Sequence, residues 1–157
     1  GDLQRVVARP GLIAGDIHAD GSLVLLGLED AVEVWDAVSG RRLHRWPAHN
    51  VRDVALSPDG RFAAAGLVDG QTWVWSTGDG TLRAALRGHT DRVAGLEWGP
   101  QSEWLITGSW DRSARIWWLK QLNEAPDALA EAVAADWGIP LRREVQPNPG
   151  IPTKFFE

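Results

Sequence analysis

The chain has 157 residues, 44% of them hydrophobic, with a net charge of −5 and scattered basic residues; one domain with a sizeable core is expected, without nucleic acid or anionic membrane as partner. Cys is absent, which excludes disulfides, Cys-ligated zinc and thiol chemistry and favours a cytoplasmic setting. No apolar run approaches the roughly 20 residues of a membrane span, no signal-peptide pattern opens the chain, and the excess of Arg over Lys suggests a bacterial source.

In chain order, Gly1-Asp2-Leu3 opens a segment that returns as Gly40-Arg41-Arg42-Leu43 and Gly80-Thr81-Leu82, the later copies leading on to Ala48-His49 and Gly88-His89. Asp20-Gly21, Leu23, Gly27, Asp30 and Trp35 then recur as Asp59-Gly60, Phe62, Gly66, Asp69 and Trp75. The stretch from Val51 to Trp75 superposes without a gap on Val93 to Trp117, at an offset of 42. A period near 40 residues, punctuated by Pro58-Asp59-Gly60, Asp69-Gly70 and Gly78-Asp79-Gly80, predicts about four short antiparallel strands per unit.

The second strand of each unit is almost wholly apolar: Leu23 to Leu26, Phe62 to Ala65, Trp104 to Thr107. Such a strand must be covered on both faces, which face-to-face stacking of successive sheets provides. The inner strands read as apolar. Arg41, Arg42 and Arg45 read as a solvated basic group on an outer strand.

After Trp118 the repeat stops, so the array is expected over residues 1–120 and an extension over 121–157. Residues 126–137 read as a helix, opened by Pro126, closed by Gly138 and carrying Leu129, Val133 and Trp137 on one stripe; Pro140, Pro147, Pro149 and Pro152 then favour extended chain.

Three groups of residues have the right types for chemistry. His89, Ser109 and Asp111 are those of a catalytic triad, but no Gly-x-Ser-x-Gly elbow exists, and we expect no enzyme. His18 and Asp20 lack a second ligand pair for a metal, and His18 is expected as a solvent-exposed turn residue. Gly78-Asp79-Gly80 lacks the Gly-Lys-Ser/Thr of a phosphate loop, so neither metal nor cofactor is expected.

Gly88-His89, Ser57-Pro58-Asp59-Gly60, Gly108-Ser109-Trp110-Asp111 and Trp35-Asp36, spaced by about 40 residues, make residues 1–120 resemble the WD repeat family. The resemblance implies an all-β fold of about three four-stranded propeller blades and an interaction scaffold, adaptor or sensor that binds other proteins. It also implies a buried hydrogen-bond network of His89, Ser109 and Asp111 with the closing Trp117, with weaker copies formed by His49, Asp69 and Trp75 and by Asp30 and Trp35. Asp30 is expected to rely on backbone or water.

Related propellers bind partners through the loops that enter each unit and the residue before each turn Asp, which here are Asn50, Arg52, Thr90, Asp91, Arg92, Glu29, Val68 and Trp110. Trp110 is expected to project outward, because Ser109 and Asp111 on either side are committed inward, with packing against the adjacent blade's loop as the alternative. Three blades leave apolar faces at both ends. We read the chain as the C-terminal part of a longer propeller, whose missing blades supply the cover; assembly of copies into a ring is the alternative.

Overall fold

The computed structural model describes residues 9–123. The helix expected over residues 126–137, the segment Gly1-Asp2-Leu3 and the Pro-rich tail lie outside the described residues. Eleven strands occur among the described residues: β1 (Leu12–Ile17), β2 (Leu23–Leu28), β3 (Ala31–Asp36), β4 (Arg42–Pro47), β5 (Val51–Leu56), β6 (Phe62–Leu67), β7 (Thr72–Ser76), β8 (Leu82–Leu86), β9 (Val93–Trp98), β10 (Trp104–Ser109) and β11 (Ala114–Trp118). A 3-10 turn at Lys120–Asn123 follows. No helix among the described residues is long and apolar enough to cross a membrane.

The strands form three antiparallel sheets in up-and-down order: β1-β2-β3-β4, β5-β6-β7-β8 and β9-β10-β11. The first two are the four-stranded sheets expected of propeller blades; the third has three strands among the described residues rather than the expected four. Short hairpins join neighbours because the turns sit where Gly takes a left-handed conformation, as at Gly21, Gly60, Gly70 and Gly80.

Two cores hold the blades together, one on each face of the middle sheet. Val32, Val34, Trp46, Val51, Val54, Ala63, Ala65 and Trp75 fill the space between the first and second blades. Phe62, Ala64, Val74, Leu86, Trp98, Leu105 and Trp117 fill that between the second and third. All six residues of β6 are therefore buried, which is why its sequence does not alternate.

Small residues on the second strand set how closely the sheets approach. A Cβ on Gly27 would lie 2.9 Å from Val51 and Val54 of the next blade, and one on Gly66 would lie 2.6 Å from Val93.

Candidate functional site

The closing Trp117 is 2% exposed, so its indole N–H must find an acceptor within the protein. It donates to the hydroxyl of Thr107 at 2.9 Å. That hydroxyl lies 2.8 Å from His89 Nε2, and His89 Nδ1 lies 2.8 Å from Asp111 Oδ2. The ionised carboxylate of Asp111 can only accept, so Nδ1–H donates to it, and in the neutral ring Nε2 accepts the proton of the Thr107 hydroxyl. Asp111 also accepts from the backbone N–H of Thr90 at 3.0 Å and from Ser113. Burial alone would raise the pKa of Asp111, but hydrogen bonds from Ser113, His89 and Thr90 outweigh it and hold the carboxyl well below its ordinary range.

The relay corrects the sequence reading at one member. Ser109 is not in it: its hydroxyl donates to the carbonyl of Asp91 at 2.9 Å and accepts from the N–H of Asp111 at 3.1 Å, bracing the turn instead. The hydroxyl that matters belongs to Thr107, two residues earlier on the same face of β10. Unlike β6, β10 is buried on one face only among the described residues, and a lone hydroxyl on that face was the signal, since it must be matched there.

The two weaker copies are built differently from the expectation. In the second blade Ala65 occupies the place of Thr107, while His49 and Asp69 are exposed and Asp69 accepts from Gln71. Trp75 is held by stacking on Trp46, with ring centroids 5.1 Å apart and planes 12° off parallel. In the first blade Trp35 donates to Glu33 at 3.0 Å. Asp30, its side chain 66% exposed to water, also pairs with Arg45 at 2.8 Å.

Glu33 is 1% exposed and is met by Arg9, Arg42 and Arg45 at 3.2, 2.8 and 2.9 Å. Burial raises its pKa, but Arg45, Arg42 and Trp35 more than reverse the effect, so it stays charged. Arg41, Arg42 and Arg45 are exposed as the sequence suggested, and Arg42 and Arg45 in addition each turn one guanidinium nitrogen inward to the buried carboxylate.

The loop face is tied together blade to blade through backbone. Asn50, at φ 56°, takes a left-handed conformation that Asn tolerates better than most residues. Its N–H donates to the carbonyl of Glu29 at 2.9 Å, and its carbonyl accepts from Val68 at 3.0 Å. At the equivalent place in the third blade Trp110 N–H donates to the carbonyl of Arg92 at 3.0 Å. Glu29, Asn50, Arg52, Thr90 and Asp91 are exposed, and Val68 is 38% exposed. Trp110 is 60% exposed, with the Arg92 guanidinium 4.0 Å from its ring centroid and Arg92 itself near Asp91.

The inner strands are less apolar than expected. Asp16 on β1 accepts from the N–H of Leu56, and Asp53 on β5 accepts from that of Leu96, at 2.7 and 2.9 Å. Each carboxylate reaches the inner strand of the following blade. With Glu97 and Trp98 they border a cavity of about 430 Å³. His18, expected in solvent, instead has a side chain only 13% exposed and lies 2.9 Å from the carbonyl of Pro58 in the next blade.

Comparison with known proteins agrees with this architecture. The family model for the WD domain, G-beta repeat, matches residues 40–76 and 78–117. A periodic tryptophan protein 2 homolog of Neurospora crassa is 43% identical over 65 residues, covering 41% of this chain and 7% of that protein. Autophagy-related protein 16 of Arabidopsis thaliana is 28% identical over 103 residues, covering 64% and 20%. An uncharacterized WD repeat-containing protein of Synechocystis is 33% identical over 100 residues, covering 63% and 26%. The chain therefore spans about a quarter or less of the length of these relatives. Residues 40–76 and 78–117 are WD40 repeats, and the chain that carries them folds as propeller blades.

Proposed function

We propose that this chain is a non-catalytic protein-binding module, an adaptor or sensor surface, whose partner face is the loop face around Trp110. The observation that carries the reading is the geometry of that residue: a tryptophan 60% exposed under an arginine, on a turn braced from both sides by Ser109 and Asp111. A large apolar ring on a braced turn leaves the backbone little conformational entropy to lose on binding, and Trp with Arg is a frequent hot-spot pair. Arg52, Val68, Asn50 and Glu29 belong to the same face and extend the contact. The non-catalytic part of the reading is supported by the inner strands, where Asp16 and Asp53 are already bound to backbone amides.

The blade faces that point away from the middle sheet also take part in this reading. Ile17 is 61% exposed and Ile116 43%. Among the described residues nothing lies within 4 Å of where a Cβ would sit on Gly108, equivalent to Gly27 and Gly66, whereas those two meet valines of a following blade. Further blades of a parent chain, or a second copy, would supply that valine. A cytoplasmic and bacterial setting completes the proposal; the lack of Cys and the Synechocystis relative support it.

The test is quantitative capture of partners from cells with the wild-type chain, Trp110→Ala and Arg92→Ala, with thermal unfolding of each in parallel. Partners lost with Trp110→Ala at an unchanged Tm support the assignment. Partners retained while Tm falls would assign Trp110 to packing and overturn it.

A further inference from the structure

We propose that His18 is a pH-operated clasp between the first and second blades, closed when its imidazole carries both protons and opened when one is lost. Nδ1 lies 2.7 Å from Asp20 Oδ1 and Nε2 lies 2.9 Å from the carbonyl oxygen of Pro58. Both partners are acceptors. A backbone carbonyl has no proton to give, and Asp20 is held ionised first by His18 and then by Ser22, well below the ordinary carboxylate range. A neutral imidazole has one N–H and can satisfy only one of the two. The imidazolium satisfies both at once.

The setting favours that charged form. Asp20 is oriented by the N–H of Ser22 at 2.8 Å, so it stays in place to receive the proton. Asp59 faces the ring from the second blade's turn, where Arg61 pairs with it at 3.0 Å. Asp16 on β1, Asp53 on β5 and Glu97 on β9 border the same cavity as His18. Arg61 is the only cation in this set, and it is tied to Asp59. The hydrogen bond to Asp20, then that to Pro58, raises the pKa of His18 against the opposing effect of burial, with the charges of Asp20 and Asp59 adding to it.

Loss of one proton leaves the other on Nδ1, against the ionised carboxylate of Asp20, the stronger acceptor, so Nε2 turns a lone pair to the carbonyl of Pro58 and the bond lost is the one between the blades. Because the folded-state pKa is raised, the clasp contributes fully below the ordinary histidine value and is lost as pH rises through the raised one. The ring is seated tightly against the second blade: a Cβ on Gly60 would lie 3.3 Å from Nε2. At the next junction the corresponding link is the N–H of Asp59 donating to Ser102 Oγ at 3.1 Å, which involves no titrating atom. A rise in pH therefore loosens the first blade on the second and leaves the third in place.

The whole chain is examined in two ways. In an NMR titration of the histidine ring protons, His18 has its midpoint above the ordinary value, and Asp20→Asn lowers it. Hydrogen exchange, corrected for intrinsic rates, shows β1 and the turn at Pro58 losing roughly fivefold protection relative to β9 and β10 between slightly acid and alkaline pH, as expected for one lost hydrogen bond. His18→Gln removes the pH dependence of that ratio. A midpoint at or below the ordinary histidine value, or a wild-type ratio that does not move with pH, overturns the proposal; both readouts use the wild-type protein and stand even if a variant fails to fold.

Discussion

Replacing Thr107 by Val separates the relay from the turn brace beside it. Val has nearly the same volume, so the fully buried site stays filled and only the hydroxyl is lost. Two buried groups then lack a partner: the indole N–H of Trp117, which loses its acceptor, and His89 Nε2, which loses its donor. Each unsatisfied group costs about 1–3 kcal/mol, and imperfect additivity puts the pair at about 2–4 kcal/mol. For a domain of this size that lowers Tm by about 6–12 °C. Ser109→Ala, by contrast, removes a partly exposed hydroxyl whose backbone partners can turn to water, and costs under about 1 kcal/mol. Thermal and urea unfolding followed by circular dichroism measure both variants, and Thr107→Ser restores most of the loss. Equal effects of Thr107→Val and Ser109→Ala would refute the assignment of the relay to Thr107.

Three further outcomes follow from the same geometry. Glu33→Gln keeps an acceptor for Trp35 but removes the charge met by three arginines; since Arg42 and Arg45 are partly exposed and can rehydrate, the loss in urea unfolding is about 1–3 kcal/mol. Gly70→Ala costs at least about 2 kcal/mol, because φ is +84° and the new Cβ would lie 2.5 Å from the backbone oxygen of His89; Gly21→Ala, also at positive φ but in open space, costs about half as much in the same unfolding assay. Asp111 and Asp79 have carboxyls below their ordinary range, Asp79 at about 2, so the unfolded chain takes up protons first. Stability is therefore full above the ordinary carboxylate range and declines as pH falls toward 2, and Asp111→Asn makes that decline shallower in acid titrations followed by tryptophan fluorescence.

The stacked sheets were legible before any coordinates because their causes are local. Asp20-Gly21, Pro58-Asp59-Gly60 and Asp69-Gly70 mark turns by backbone preference alone, and an uninterrupted apolar second strand demands cover on both faces. The two polar neighbours of Trp110 allowed either an outward ring or one packed on the adjacent loop, and its 60% exposure decides for the first. The buried side-chain pairs were not legible. Ser109 and Thr107 lie on one face of β10, and only the seating of His89 between Asp111 and Thr107 chooses between them. Glu33 sits between Val32 and Val34, where alternation would place it in solvent, yet three arginines enclose it.

Repeat length, turn positions and the need for sheet on sheet belong to the amino-acid order itself, since each rests on contacts within about forty residues or on the side-chain period of one strand. Which polar atoms meet across a blade or between blades was left to the packed structure. Hydrogen bonds are sensitive to tenths of an ångström, and the links from Asp16 to Leu56, Asp53 to Leu96 and His18 to Pro58 join atoms about forty residues apart. Their distances are set by the sheets' approach, and that approach is set by Gly27 and Gly66 against the valines of the following blade.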